Sequence, residues 1–186
     1  GRSIALAMNT APRPSAGFTM IELVVTLTIG AILVAVGVPS MSTFIQDQRL
    51  TSQANTLVLS LNFARSEAVK RDLAAGVQLC ASSDGATCNN GNWALGWIVP
   101  DPVDATQPPL QGVPKIDGTN SIVEGSAGLT AVVFRANGTV TAQASFRVCD
   151  SRGASKARGV DVSASGRILA STTPGQSATG TALVCP

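Results

Sequence analysis

Residues 17–38 read GFTMIELVVTLTIGAILVAVGV. From Phe18 to Val38 the run is 21 residues long and carries one charge, Glu22. About 20 apolar residues are enough to cross the hydrocarbon core of a bilayer as a helix. Arg2 and Arg13 precede the run and no acid does. Basic residues stay on the cytoplasmic side, so a single pass through the inner membrane is expected, with the N-terminus cytoplasmic and the rest periplasmic. An ordinary signal peptide has an apolar stretch of about 7–15 residues and small residues ahead of its cut. This run is longer and ends at Pro39. Glu22 is the anomaly. A carboxylate deep in an apolar helix costs about 2.5–3.5 kcal/mol on insertion scales, so a partner for that charge is expected.

Beyond the run, Pro39 is expected to kink or loosen the helix. An amphipathic pattern then continues. Leu50, Ala54, Leu57, Leu61, Ala64 and Ala68 step by four and three along one stripe, while Arg49, Asn62, Glu67 and Lys70 fall off it. Gly76 is the expected stop. After it, apolar and β-branched runs alternate with Gly, Asn, Asp and Pro. Strands are expected at 77–81, 93–99, 129–134, 139–141, 145–149, 159–163 and 167–170. Asn137-Gly138 and Ser165-Gly166 mark turns. Residues 100–128 read as a long irregular loop and 171–181 as a flexible one. Trp93 and Trp97 would share one face of a strand and pack in the core.

The expected organisation is a leader at 1–17, a helix over 18–75 and a β-domain over 76–186. Within the helix, 18–38 spans the membrane or enters a filament core, and 39–75 packs on the domain. Met8 is a candidate start, with residues 1–7 then an upstream extension.

The chain has 13 basic and 11 acidic residues and no histidine. Histidine-based catalysis and histidine metal ligation are therefore excluded. No catalytic constellation, metal cluster or cofactor motif is evident, and no enzyme activity is expected. Cys80, Cys88, Cys149 and Cys185 form no C-x-x-C pair. An even count after an apolar segment reads as two disulfides in an oxidising compartment. Four cysteines allow three connectivities; the favoured one joins Cys80 to Cys88 and Cys149 to Cys185.

The stretch Gly17-Phe18-Thr19-Met20-Ile21-Glu22-Leu23 resembles the class III signal of type IV prepilins, usually G-F-T-L-I-E-L. The resemblance implies cleavage between Gly17 and Phe18 by a prepilin peptidase, and methylation of the new N-terminus on Phe18. It also gives Glu22 its partner, the terminal amine of a neighbouring subunit's Phe18. Leu61 to Arg71, LNFARSEAVKR, resembles the L-x-x-A-R-S-E-A segment of the FimT/FimU and GspH group of minor pilins and pseudopilins. Trp93 to Trp97, Phe134 with Asn137-Gly138, and Cys149-Asp150 with Gly166-Arg167 are similar to that group too. The implied fold is α+β, a long helix packed on antiparallel β-sheet. The implied partners are other minor and major pilins, in a type IV pilus or in the related type II secretion machine.

Charge is separated along the β-region. Residues 72–146 hold six acids and two bases, and residues 147–167 hold five bases and two acids. Some FimT-like pilins bind DNA through a basic G-R-x-R motif. Here the stretch is Gly166-Arg167-Ile168-Leu169, without the second arginine. Arg152, Lys156, Arg158 and Arg167 are the candidate DNA contacts, against the alternative of a solvated or subunit-facing surface.

Overall fold

The computed structural model describes residues 17–89, 91–115, 121–124 and 128–185, and only the backbone at 39, 121, 123 and 124. The leader expected over 1–17 lies outside them except for Gly17. The chain divides into two compact units, with the boundary between Thr43 and Phe44.

The first unit carries the start of helix α1 (Met20–Arg71). Ile21, Leu27, Ile32, Leu33 and Val36 are all exposed, as are the other large apolar residues from Phe18 to Val38. The helix is long and apolar enough to cross a membrane. The helical assignment continues through position 39.

In the second unit the end of α1 packs on two antiparallel sheets. The first has the order β3 (Gln111–Pro114), β2 (Gly96–Val99), β1 (Val77–Ala81), β5 (Ala131–Phe134). The second has the order β4 (Ser121–Glu124), β6 (Ala144–Cys149), β7 (Arg158–Val162), β8 (Ile168–Ala170). The helical stripe is the seam. Leu50, Ala54, Leu57, Leu61, Ala64 and Ala68 are all at most 4% exposed and join one core with Leu79, Val99, Phe134, Phe146 and Val160. Alanine at three stripe positions lets the sheets approach the helix closely. Burying each leucine contributes about 1.5–3 kcal/mol.

Several elements differ from the sequence expectation. The helix ends at Arg71, because Asp72 turns to a left-handed φ of 50°. A short aspartate tolerates that conformation. Glu67, expected off the stripe, is buried. Arg71 donates to it at 2.8 Å, which offsets the burial. Trp93–Leu95 is a 3-10 turn, capped by the Asn92 side chain accepting from the Ala94 N–H. The two tryptophans therefore do not share a strand, yet both are buried, and Trp93 meets the Phe146 ring edge-on at 4.9 Å. Residues 139–141 form only one bridge, Val140 to Phe134. The stretch 100–128, expected to be an irregular loop, supplies two strands, β3 and β4, one to each sheet. Both are edge strands, so each is recruited by a single partner and needs little apolar alternation of its own.

The segment after β8 is laid down by hydrogen bonds. The N–H groups of Ser171 and Gly175 donate to the carbonyls of Gly159 and Ala157, at 2.8 and 2.9 Å. Of several buried polar atoms without a hydrogen-bond partner among the described residues, one lies on α1. The Ser60 hydroxyl is fully buried on α1 and has no hydrogen-bond partner. A buried unsatisfied polar group costs about 1–3 kcal/mol, and alanine is the better helix former. Ser60→Ala is therefore expected to stabilise the domain by about 1 kcal/mol, read as a higher urea midpoint with an unchanged slope. A lower midpoint would mean that the hydroxyl is satisfied.

Candidate functional site

The N-terminus of α1 carries a reciprocal cap. The Glu22 N–H donates to the Thr19 hydroxyl at 3.3 Å, and the Glu22 carboxylate accepts from the Thr19 N–H and hydroxyl, each at 3.4 Å. This is the capping box, in which a Ser or Thr cap and a Glu three residues on satisfy each other's backbone donors. Thr19 was not singled out from the sequence, although T-x-x-E ahead of an apolar run is that signature. The cap fixes the helix start at Met20, so Gly17 and Phe18 lie before it, with Phe18 81% exposed. Glu22 also sits where the helix dipole favours a negative charge. In the lone subunit its carboxylate is therefore held locally.

The four basic candidates differ in their surroundings. Arg152 is engaged: it lies 2.8 Å from an Asp47 oxygen and 2.7 Å from Asp150, tying α1 to the turn after β6. Burial pushes the Asp150 carboxyl up, but its hydrogen bonds from Arg152 prevail and hold it below the usual carboxylate range. Lys156 is exposed in a 3-10 turn and Arg158 is half-buried at the start of β7. Arg167 is exposed beyond the far end of β7. Four strand steps at about 3.3 Å each put roughly 13 Å between the two ends of that strand.

Arg167 instead adjoins a pair of turns. The Arg65 guanidinium donates from Nε to the Gly138 carbonyl at 3.1 Å, and the Val140 N–H donates to the Ala164 carbonyl at 3.2 Å. Gly166 packs against the Gly138 carbonyl with φ +75°, and a Cβ there would collide with that oxygen. Arg135 flanks the same turn, donating from Nη1 to the Val140 carbonyl at 2.7 Å. Arg65 and Glu67, from the A-R-S-E-A stretch, thus have structural duties. Arg65 pins the turns to the helix. Glu67 holds Arg71, which lies 3.6 Å from Asp101. The hydrogen bond from Arg71 is what chiefly lowers the Glu67 pKa. The glycine of the G-R pair is likewise required by packing.

Disulfides join Cys80 to Cys88 and Cys149 to Cys185, with Cα separations of 5.6 and 6.0 Å. The first closes the turn around Asp84. The Asp84 carboxylate accepts from the Ala86 and Thr87 N–H groups and the Thr87 hydroxyl. These bonds hold it far below the usual carboxylate range. The second bridge ties the C-terminal segment to β6.

A family profile described as "Type II transport protein GspH" matches residues 53–166, well over half of the chain. A second, "Prokaryotic N-terminal methylation motif", matches residues 12–38. Two crystal structures of the type IV minor pilin FimU of Pseudomonas aeruginosa (strain PAO1) share the fold at 26% sequence identity. One, in space group P65, has a TM-score of 0.53 and is matched over 66% of this chain and 92% of its own. The other, in space group P21, has a TM-score of 0.54, over 70% of this chain and 98% of its own. No curated protein matches the sequence. Since the methylation motif falls on the run that opens α1 and the family match falls on the helix and sheets behind it, the chain belongs to the GspH family and is a minor pilin of the FimT/FimU/GspH type.

Proposed function

We propose that this chain is a structural subunit that helps to initiate or cap a type IV pilus. Residues 1–17 would be removed by the prepilin peptidase. Residues 18–38 would anchor the subunit in the inner membrane and then enter the filament core. The β-domain, with the end of α1 from Leu50 to Arg71 packed on it, would be held in the periplasm. The observation that carries the reading is the apolar surface of α1 from Met20 to Val38, exposed on all sides and interrupted by the one carboxylate of Glu22. A surface of that kind needs lipid or identical neighbours to cover it. Deleting the gene is expected to abolish or sharply reduce surface pili while the major subunit accumulates in the membrane, counted by electron microscopy and restored by the intact gene. Normal piliation with lost protein secretion would assign the chain to the type II machine instead.

A second reading, contact with DNA, has one observation in its favour. Arg65, Arg135 and Arg167 flank the same turns, and none makes an ion pair with a carboxylate among the described residues. Three phosphate contacts give a log-affinity slope of about −2.7 against log salt on duplex DNA. Arg167→Gln should reduce that slope by about one. Binding that Arg167→Gln leaves unchanged, or no binding at low salt, would remove this reading.

A further inference from the structure

The C-terminal segment lies over the outer face of β6 and β7. In that pair Ser145 stands opposite Asp161 and Arg147 opposite Gly159, while the alternate residues Phe146, Val148 and Val160 face the core. Gly159 is in close contact with the Ser177 backbone, and the Ala178 N–H donates to Asp161 Oδ2 at 2.7 Å. The Cys149–Cys185 bridge fixes the far end of the segment. Between the segment and β6 remains a cleft of about 230 Å³. One water occupies about 30 Å³ in the liquid, so the space exceeds what a single bridging water fills.

The cleft is lined by Ser145, Arg147, Ser177, Thr179 and Thr181 together with apolar residues such as Leu183 and Val184. The Ser177 and Thr179 hydroxyls bond each other at 2.8 Å. The Arg147 Nε is buried and has no hydrogen-bond partner. No carboxylate among the described residues comes within ion-pair distance of its guanidinium. Asp161, on the same face but outside the lining, turns Oδ2 to the Ala178 amide, while its Oδ1 is itself buried without a hydrogen-bond partner. A buried unpaired donor on a charged group is costly. A guanidinium, with its planar fork of donors, is matched by a carboxylate or a phosphate.

We propose that this cleft binds a small oxyanion, carboxylate or phosphate, on Arg147, with the Ser145 and Thr181 hydroxyls completing its shell. The ligand is a free, metabolite-sized anion, and the site needs neither the membrane nor the filament reading above.

The test is an NMR titration of the full chain in a non-ionic detergent. It follows the Arg147 Nε–H resonance, assigned by its loss in Arg147→Gln, and the amides of Ser145, Thr179 and Thr181. Sodium acetate and sodium phosphate are added separately, against sodium chloride at matched ionic strength. A saturable shift with either anion supports the proposal: with acetate the class is carboxylate, with phosphate alone it is phosphate. Arg147→Gln should abolish the saturable amide shifts, and Thr181→Val should weaken binding by about tenfold, the loss of one charge-assisted hydrogen bond. Shifts that are absent with both anions, or that only follow chloride, would overturn it and leave a water-filled cleft. So would saturation that persists in Arg147→Gln.

Discussion

Glu22→Ala is expected to leave the chain in the membrane and to remove it from sheared filaments. Two effects oppose each other. Taking a carboxylate out of an apolar helix relieves about 2.5–3.5 kcal/mol on insertion scales. Removing one partner of a desolvated ion pair costs about 3–5 kcal/mol in the state where the pair forms. On the proposed pairing only the assembled state would bring a neighbour's amine to Glu22, so insertion should be unharmed or improved while incorporation falls by about a hundredfold or more. The cap complicates the alanine variant, because Glu22 also accepts from Thr19. Glu22→Gln separates the two roles. Glutamine serves in a capping box but carries no charge, so it should keep the helix start and still fail to assemble. If glutamine assembles normally, the cap is what matters and the pairing account is wrong. Equal amounts of Glu22→Ala and the unaltered chain in sheared pili would count against both roles.

Gly166→Ala is expected to be among the most damaging small substitutions in the domain. At φ +75° an added Cβ strains the backbone by about 1–2 kcal/mol and collides with the Gly138 carbonyl oxygen. That oxygen is the acceptor for Arg65, so moving the turn also releases the clasp on α1. A loss of about 3–4 kcal/mol is expected, at the upper end for single substitutions. Gly85 supplies the control. It has a similar φ of +71° with nothing within 4 Å of its Cβ position, so Gly85→Ala should cost about 1–2 kcal/mol, the strain alone. Urea unfolding of the two variants reads the difference. Equal losses would mean that the two turns do not pack tightly.

These two positions mark how far the sequence could be read. The membrane run, the Glu22 anomaly and the helical stripe were legible because each is a local pattern with its own energetic reason. Every residue assigned to that stripe is buried. Glu67 was misplaced for the opposite reason: its burial depends on Arg71 one turn away and on Asp101 beyond the β-region's first strands. Strands β3 and β4 were hidden because edge pairing needs a partner strand and not an apolar period. Sequence QGVP at β3 contains one large apolar residue. The basic candidates read from residues 147–167 are not equivalent: Arg152 is spent on Asp47 and Asp150, and Arg167 follows the glycine that packs on the turn held by Arg65 and flanked by Arg135. The Thr19 cap could have been found from T-x-x-E, and was obscured because the same residues carry the processing signal.

The central claim is that the chain is cut before its apolar helix and keeps that helix whole. The direct measurement is the intact mass and N-terminal sequence of the chain recovered from membranes after co-expression with a prepilin peptidase, beside Gly17→Val. The account predicts a mature chain beginning at a methylated Phe18, and an uncut chain for Gly17→Val. A mature chain beginning near Ser40, with the apolar run lost, would mean an ordinary signal peptide and would contradict it.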